Sequence, residues 1–210
     1  EGEMFLSKTH DQVKTALKQA DYLSQRYHVV VANPPYMGGG NMNPKLSSFA
    51  KKQYPNSKSD MCTMFMERNL KMVIKQGNIA MITMQSWMFL SSYEKLREKL
   101  IQEATITSMA HLGARAFDSI GGEVVSTTAF VIEHQHMQEK KGSFVRLVDG
   151  GSEREKLNSL KEAIKNPDCG WFYRVSAEDF QKIPGSPIAY WVSEKARHAF
   201  TIGTPFGNVG

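Results

Sequence analysis

The stretch Tyr27-His28-Val29-Val30-Val31-Ala32-Asn33-Pro34-Pro35-Tyr36 decides the fold. Val29, Val30 and Val31 are β-branched, and their apolar run is too short for a buried helix, so it reads as an inner parallel strand. Pro34 and Pro35 carry no backbone N–H and cannot extend a ladder, so the strand must stop there. Open α/β sheets bind ligands at the carboxyl ends of their parallel strands, which is where Asn33 is expected.

The residues that follow the strand suit one kind of chemistry. The nitrogen of an exocyclic amine or an amide is a poor nucleophile, because its lone pair is delocalised into the neighbouring π-system. Two acceptors aimed at its hydrogens draw it toward tetrahedral geometry and free the lone pair. Asn33 offers a side-chain oxygen, and Pro34 offers a carbonyl on a stiff backbone that Pro35 prolongs. Tyr36 supplies a ring for a planar base. The plainer alternative is a strand followed by a Pro-Pro turn that contains an Asn by chance.

Working outward, residues 7–26 place Val13, Ala16, Leu17, Ala20 and Leu23 at helical spacing, which predicts an amphipathic helix before the strand. Residues 37–59 are polar, open with Gly38-Gly39-Gly40, and carry Lys45, Lys51, Lys52 and Lys58. So long a connection is either functional or a disordered insertion; beside Asn33 it reads as a basic, mobile flap over substrate. A helix is expected over 60–75, burying Cys62, Phe65, Met66, Leu70 and Val73 and ended by Gly77, with an apolar strand at 78–84. Ser91 and Glu94 have the form of a capping box, as do Ser152 and Glu155, each before a helix. Strands are expected at 106–112, 124–133 and 144–148, and the tail beyond Asn166 is less regular.

Alternating strands and helices predict an α/β fold with a mostly parallel sheet. The segment 124–133, after Gly121-Gly122, is expected to add an antiparallel hairpin strand at the edge. Two regions are anticipated: residues 1–150, holding the sheet, and a helical or irregular extension over 151–210.

Composition narrows the function classes. The chain has 210 residues, 41% hydrophobic and 22% charged, which is ordinary for a globular protein. No apolar stretch is long enough to span a bilayer, and no secretory signal pattern is present, so a cytoplasmic protein without membrane contact is expected. Cys62 and Cys169 have no partners at metal-ligand spacing and read as reduced thiols. His134 and His136 lack a nearby third ligand, so no metal is expected. The formal charge of +5 mildly favours a polyanionic partner. A nucleophile elbow and a phosphate-binding Gly-x-x-x-x-Gly-Lys loop are both missing from the sequence. The chain opens on Glu1 without an initiator Met and reads as a piece of a longer polypeptide.

Several ordered blocks carry a resemblance to a known family: NPPYMGG at 33–39, DMCTMFME at 60–67, GNIAMIT at 77–83, MITMQSWMFLSSYEKLR at 81–97 and AHLGARAFDSIGGEVVSTTAFVIE at 110–133. Together they resemble the DNA adenine-N6 methyltransferases of bacteriophage-exclusion (BREX) defence systems, over most of residues 27–150. The resemblance implies the C-terminal part of a class I, Rossmann-like S-adenosylmethionine-dependent methyltransferase sheet. It implies that Asn33 and the Pro34 carbonyl hold the adenine amino group and that Tyr36 stacks on a base flipped out of double-stranded DNA. Pro35 would help shape the base site, Phe117 would touch the base from the other side unless it is an ordinary core aromatic, and Lys51 and Lys52 would meet phosphates. Asp118 and Ser119 receive no role, and Trp87 suits packing better than a pocket wall.

The cofactor's Gly-rich turn and ribose-binding acid are not found here, so S-adenosylmethionine is expected to be held by elements upstream of Glu1. A target-recognition region would lie downstream, and other phage-defence proteins would be partners. Two alternatives stay open: a protein-glutamine or RNA amino-group methyltransferase, and a non-catalytic piece that binds DNA or a defence partner.

Overall fold

The computed structural model describes residues 2–118 and 125–202, with side chains from Leu6 onward. Ser119, Gly121, Gly122 and Val124, which entered the sequence reading, lie outside the described residues. The chain opens with helix α1 (Gly2–Ser24) and enters strand β1 (Tyr27–Ala32), which ends where the prolines require. Helix α2 (Pro44–Gln53) and helix α3 (Met61–Met72) lead into the long strand β2 (Val73–Met84). Helix α4 (Glu94–Glu103), β3 (Thr105–Gly113), β4 (Thr127–Glu133) and β5 (Gly142–Arg146) follow. Helix α5 (Glu153–Lys165), β6 (Phe172–Val175), α6 (Ala177–Gln181) and α7 (Glu194–Ile202) complete the described chain.

The α/β class is as expected, but the sheet is mixed. Its six strands run in the order β1-β2-β4-β3-β5-β6. β1 is parallel to β2 and β3 to β5, whereas β4 is antiparallel to both neighbours and β6 to β5. β4 is therefore an interior strand and not the edge hairpin expected. The reason lies in its side chains. Ala32, Met81, Phe130, Met109, Phe144 and Tyr173 form one row of cross-strand partners through all six strands. Phe130, 3% exposed, fills the middle of that row and would be wasted at an edge.

This face of the sheet is covered by α3, α4 and α6, which contribute Met66, Leu70, Leu96, Leu100, Ile101 and Phe180 to one core. The opposite face is covered by α5 through Leu160 and Ala163, which pack on Ala110 and Val145. β1 stands at the sheet edge rather than inside it, and Val31 on the second face is 75% exposed. Neither that edge nor the apolar stripe of α1 (Val13, Leu17, Leu23) is covered by the described residues.

Local differences from the sequence reading have local causes. α3 does not continue to Lys75; β2 begins at Val73, directly after the helix. Gly77 is a point of close approach within β2, not a helix stop: a Cβ there would stand 2.7 Å from the His28 carbonyl oxygen and 2.6 Å from Val73. Phe65 projects outward at 38% exposure, while Cys62, Met66 and Leu70 are buried as anticipated. Ser91–Tyr93 forms a 3-10 turn that places Tyr93 at the N-cap of α4, so the Ser91–Glu94 box is not made. At α5 the Ser152 hydroxyl does accept from the Glu155 N–H, at 3.2 Å. The tail is more regular than expected: Val175, Ala177, Phe180, Ile188 and Tyr190 join the main core.

Candidate active site

β1, β2, β3 and β5 all point the same way, so their carboxyl ends share one edge of the sheet. That edge carries Asn33–Tyr36 after β1, the turn Gln85–Met88 after β2, the Phe117 segment after β3 and the loop after β5. The parallel-strand expectation for the placement of Asn33 is met.

Within the box, Asn33 and Pro35 are exposed, Pro34 is buried and Tyr36 is half-buried. The loop is held by Asp60, a side chain the sequence reading had used only as a helix start. The Asp60 carboxylate caps α3 by accepting from the Cys62 N–H at 2.8 Å and also accepts from the Met37 N–H at 3.3 Å. The Met61 N–H donates to the Met37 carbonyl, and Gly38 and Asp60 form an antiparallel bridge. The backbone next to Tyr36 is thereby tied to the N-terminus of α3. Burial, then the nearby Cys62 and Asp60, push the Tyr36 hydroxyl up to about 12, so the ring is neutral. Burial and Asp60 likewise raise the Cys62 thiol, which removes it as a nucleophile.

Residues 37–59 are not the loosely held flap that their lysines suggested. Asn43 accepts from the Leu46 N–H at 2.9 Å and Pro44 occupies the first turn, so α2 is both capped and pre-set. Met42 and Ala50 bury against Met64 of α3, flanked by Met37, Leu46, Tyr54 and Met61. Beneath, Ser57 donates to Glu67, Glu67 pairs with Lys99 at 3.1 Å, and the Thr63 hydroxyl donates to the Ser57 and Asp60 carbonyls. Small apolar residues spread among lysines hid this anchor. Lys51 and Lys52 stand exposed in the last turn of α2.

The β2 turn was largely unread in sequence. Buried Arg97 donates to the carbonyls of Trp87 (3.0 Å), Leu90 (2.6 Å) and Gly185 (2.8 Å), clamping the turn to the segment before Tyr190. Trp87 is a packing residue: fully buried, it donates to the Thr83 hydroxyl and meets Phe130 edge-on. His111 bridges Gln85 (2.6 Å) and the Tyr190 hydroxyl (2.9 Å). Burial, then the Arg146 and Lys156 charges, hold His111 down to about 4, so it is neutral.

Phe117 is half-buried in the segment after β3. Its neighbour Asp118, without a role in sequence, exchanges hydrogen bonds with Glu153 at the start of α5. His134 and His136 meet the Val73 and Ile101 carbonyls, and no group of three metal-binding side chains occurs among the described residues. Gly38–Gly40 does not fit a cofactor's anionic group. Gly39 donates its N–H to the Ser59 carbonyl, and the turn opens no helix longer than three residues. No helix among the described residues is long and apolar enough to cross a membrane.

This edge, with an Asn-Pro-Pro-Tyr box in front of a mixed sheet, is that of a methylase domain. Residues 4–117, more than half of the chain, match the model of the Eco57I restriction-modification methylases, and the chain belongs to that family. It is 47% identical over 184 residues to the adenine-specific methyltransferase PglX of Lacticaseibacillus casei (strain Zhang). It is 49% identical over 193 residues to the adenine-specific methyltransferase BrxX of Escherichia coli O9:H4 (strain HS). These alignments cover 88% and 92% of the chain but only 15% and 16% of the relatives' own lengths. The fold is shared with the methyltransferase subunit of a type I restriction-modification system from Streptococcus thermophilus, at a TM-score of 0.53 and 15% identity, over 78% of this chain and 37% of that one.

Proposed function

We propose that the chain is the substrate-side part of an S-adenosylmethionine-dependent DNA methyltransferase that modifies the N6 amino group of adenine in phage defence. The observation that carries this reading is the Asn33-Pro34 pair, which follows β1 at the carboxyl edge of the sheet, in a chain almost half identical to two adenine-specific methyltransferases. An adenine flipped from the duplex, at a cost of a few kcal/mol, would enter with its face on Tyr36. The Asn33 side-chain oxygen and the Pro34 carbonyl would accept from the two N6 hydrogens. Positive charge grows on N6 as the new N–C bond forms, and both acceptors stabilise it until one proton leaves.

The methyl donor in this reading is S-adenosylmethionine, whose Gly-rich binding turn the Gly38–Gly40 segment does not supply. Its recognition would fall to other parts of the polypeptide. Pro35 would border the base site, Phe117 would close it from the segment after β3, and Lys51 and Lys52 would meet phosphates from α2. In terms of regions, residues 1–150 would form the substrate-side half. Residues 151–210 would lead toward a part that reads the DNA sequence. The protein would work in the cytoplasm with other defence proteins.

The test is to supply the full-length protein with labelled methyl donor together with DNA, RNA and protein. Label recovered as N6-methyladenine in DNA is the expected result. Label confined to RNA or to protein glutamine would favour those substrates instead, and DNA binding without labelling would indicate a non-catalytic role.

A further inference from the structure

We propose that Trp191 is a second stacking platform, binding an unpaired base of the DNA strand outside the pocket at Asn33. This extends the methyltransferase reading, because it supposes that DNA lies along the carboxyl edge of the sheet.

Trp191 is braced on three sides. Its ring lies nearly parallel to His111 (29°, centroids 6.0 Å apart), meets Phe89 edge-on at 5.4 Å and stands perpendicular to Tyr190 at 5.0 Å. Among the described residues Trp191 stays 38% exposed. A large aromatic ring fixed by its neighbours and still partly exposed has already lost much of the freedom that binding would otherwise cost.

The bracing residues are themselves locked. His111 is held between Gln85 and Tyr190, the Ile188 N–H donates to the Met88 carbonyl, and Arg97 grips Leu90 and Gly185 together. Gln85 and Met88 belong to the turn that follows β2, one strand over from β1, which Asn33 follows. The platform and the Asn33 box are thus rooted at the carboxyl ends of adjacent parallel strands.

The local chemistry suits a base. The rings in contact with Trp191 are Phe89, His111 and Tyr190, with His111 neutral, while the Arg146 and Lys156 charges act on His111 from outside this aromatic group. A flipped adenine leaves unpaired and unstacked bases behind it, and every base presents a π-face to an aromatic ring.

The experiment uses the full-length protein and a fluorescein-labelled single-stranded oligodeoxythymidylate, with Trp191→Leu and Trp191→Phe as variants. Leu keeps apolar packing and removes the π-face, whereas Phe keeps both. Trp191→Leu should weaken binding about tenfold, the equivalent of about 1.4 kcal/mol, and Trp191→Phe less than about threefold. A 5-bromodeoxyuridine oligonucleotide should crosslink to Trp191 on irradiation. Equal losses in both variants, no loss in Trp191→Leu, or crosslinks that avoid Trp191 would each overturn the proposal. Asn33→Ala, measured alongside, should lose methyl transfer. If it keeps methyl transfer, the assignment of the Asn33 box fails, and the crosslink still decides Trp191 separately.

Discussion

Replacing Asp60 tests how the Tyr36 loop is held. Asp60 is 6% exposed and gives its carboxylate to two backbone N–H groups, those of Cys62 at 2.8 Å and Met37 at 3.3 Å. Asp60→Ala removes the cap of α3, worth about 1 kcal/mol. It also leaves the Met37 N–H without this acceptor, which adds about 1–3 kcal/mol. The expected destabilisation is therefore about 2–4 kcal/mol. Asp60→Asn keeps an oxygen in the same place and should cost less than about 1 kcal/mol, since Asn caps nearly as well as Asp. Removing the charge should also lower the Tyr36 hydroxyl slightly, because burial, then Cys62, raise it more than Asp60 does. Urea unfolding gives the first quantity, and ultraviolet titration of the tyrosines gives the second. An Asp60→Ala variant within about 0.5 kcal/mol of the parent, well inside the surface-substitution range, would refute the loop's dependence on Asp60.

Three further expectations follow from the geometry. His111 is held near 4 by burial and by Arg146 and Lys156, against 6.5 when free. The unfolded chain therefore binds a proton first, and stability should be full above about 6.5 and fall as pH drops toward 4; His111→Gln should flatten that slope in urea unfolding at several pH values. Lys51→Ala and Lys52→Ala should each weaken DNA binding regardless of sequence and reduce the salt slope by about 1, so an unchanged slope would remove them from the phosphate path. Tyr36→Phe should leave methylation nearly unchanged while Tyr36→Ala lowers it, since stacking uses the ring at about 1–3 kcal/mol; equal losses would mean that the hydroxyl is what matters.

The parts of the fold legible in sequence were those set by local chemistry. Three valines before two prolines specify a strand and its end, and the strand end located Asn33. What sequence could not show was set by distant partners. Val29 and Val31 read as buried, yet whether a β-branched run is interior depends on which strands flank it. β4 enters the middle of the sheet because Phe130 fits between Met81 and Met109, a match that appears only in three dimensions. α3 and β2 meet without a loop, so no breaker marked the change at Val73. In residues 37–59 the Asn43-Pro44 helix start is visible in sequence, but the burial of Met42 and Ala50 depends on Met64 of α3, a partner distant in sequence. Asp60, Arg97 and His111 act through backbone carbonyls, N–H groups and side chains far away in sequence. Asp60 alone left a local sign, a helix-capping residue before an apolar run. For Arg97 the partners are Trp87, Leu90 and Gly185, and no spacing rule connects them.

The central claim is that Asn33 supports methyl transfer to adenine N6. Its most direct measurement is the N6-methyladenine content of DNA from cells expressing the full-length protein or its Asn33→Ala variant. Loss of one acceptor that acts as charge develops is worth about 3 kcal/mol, so the variant should lose methylation by about a hundredfold or more while still folding and binding DNA. Methylation by Asn33→Ala within about tenfold of the parent would contradict the account.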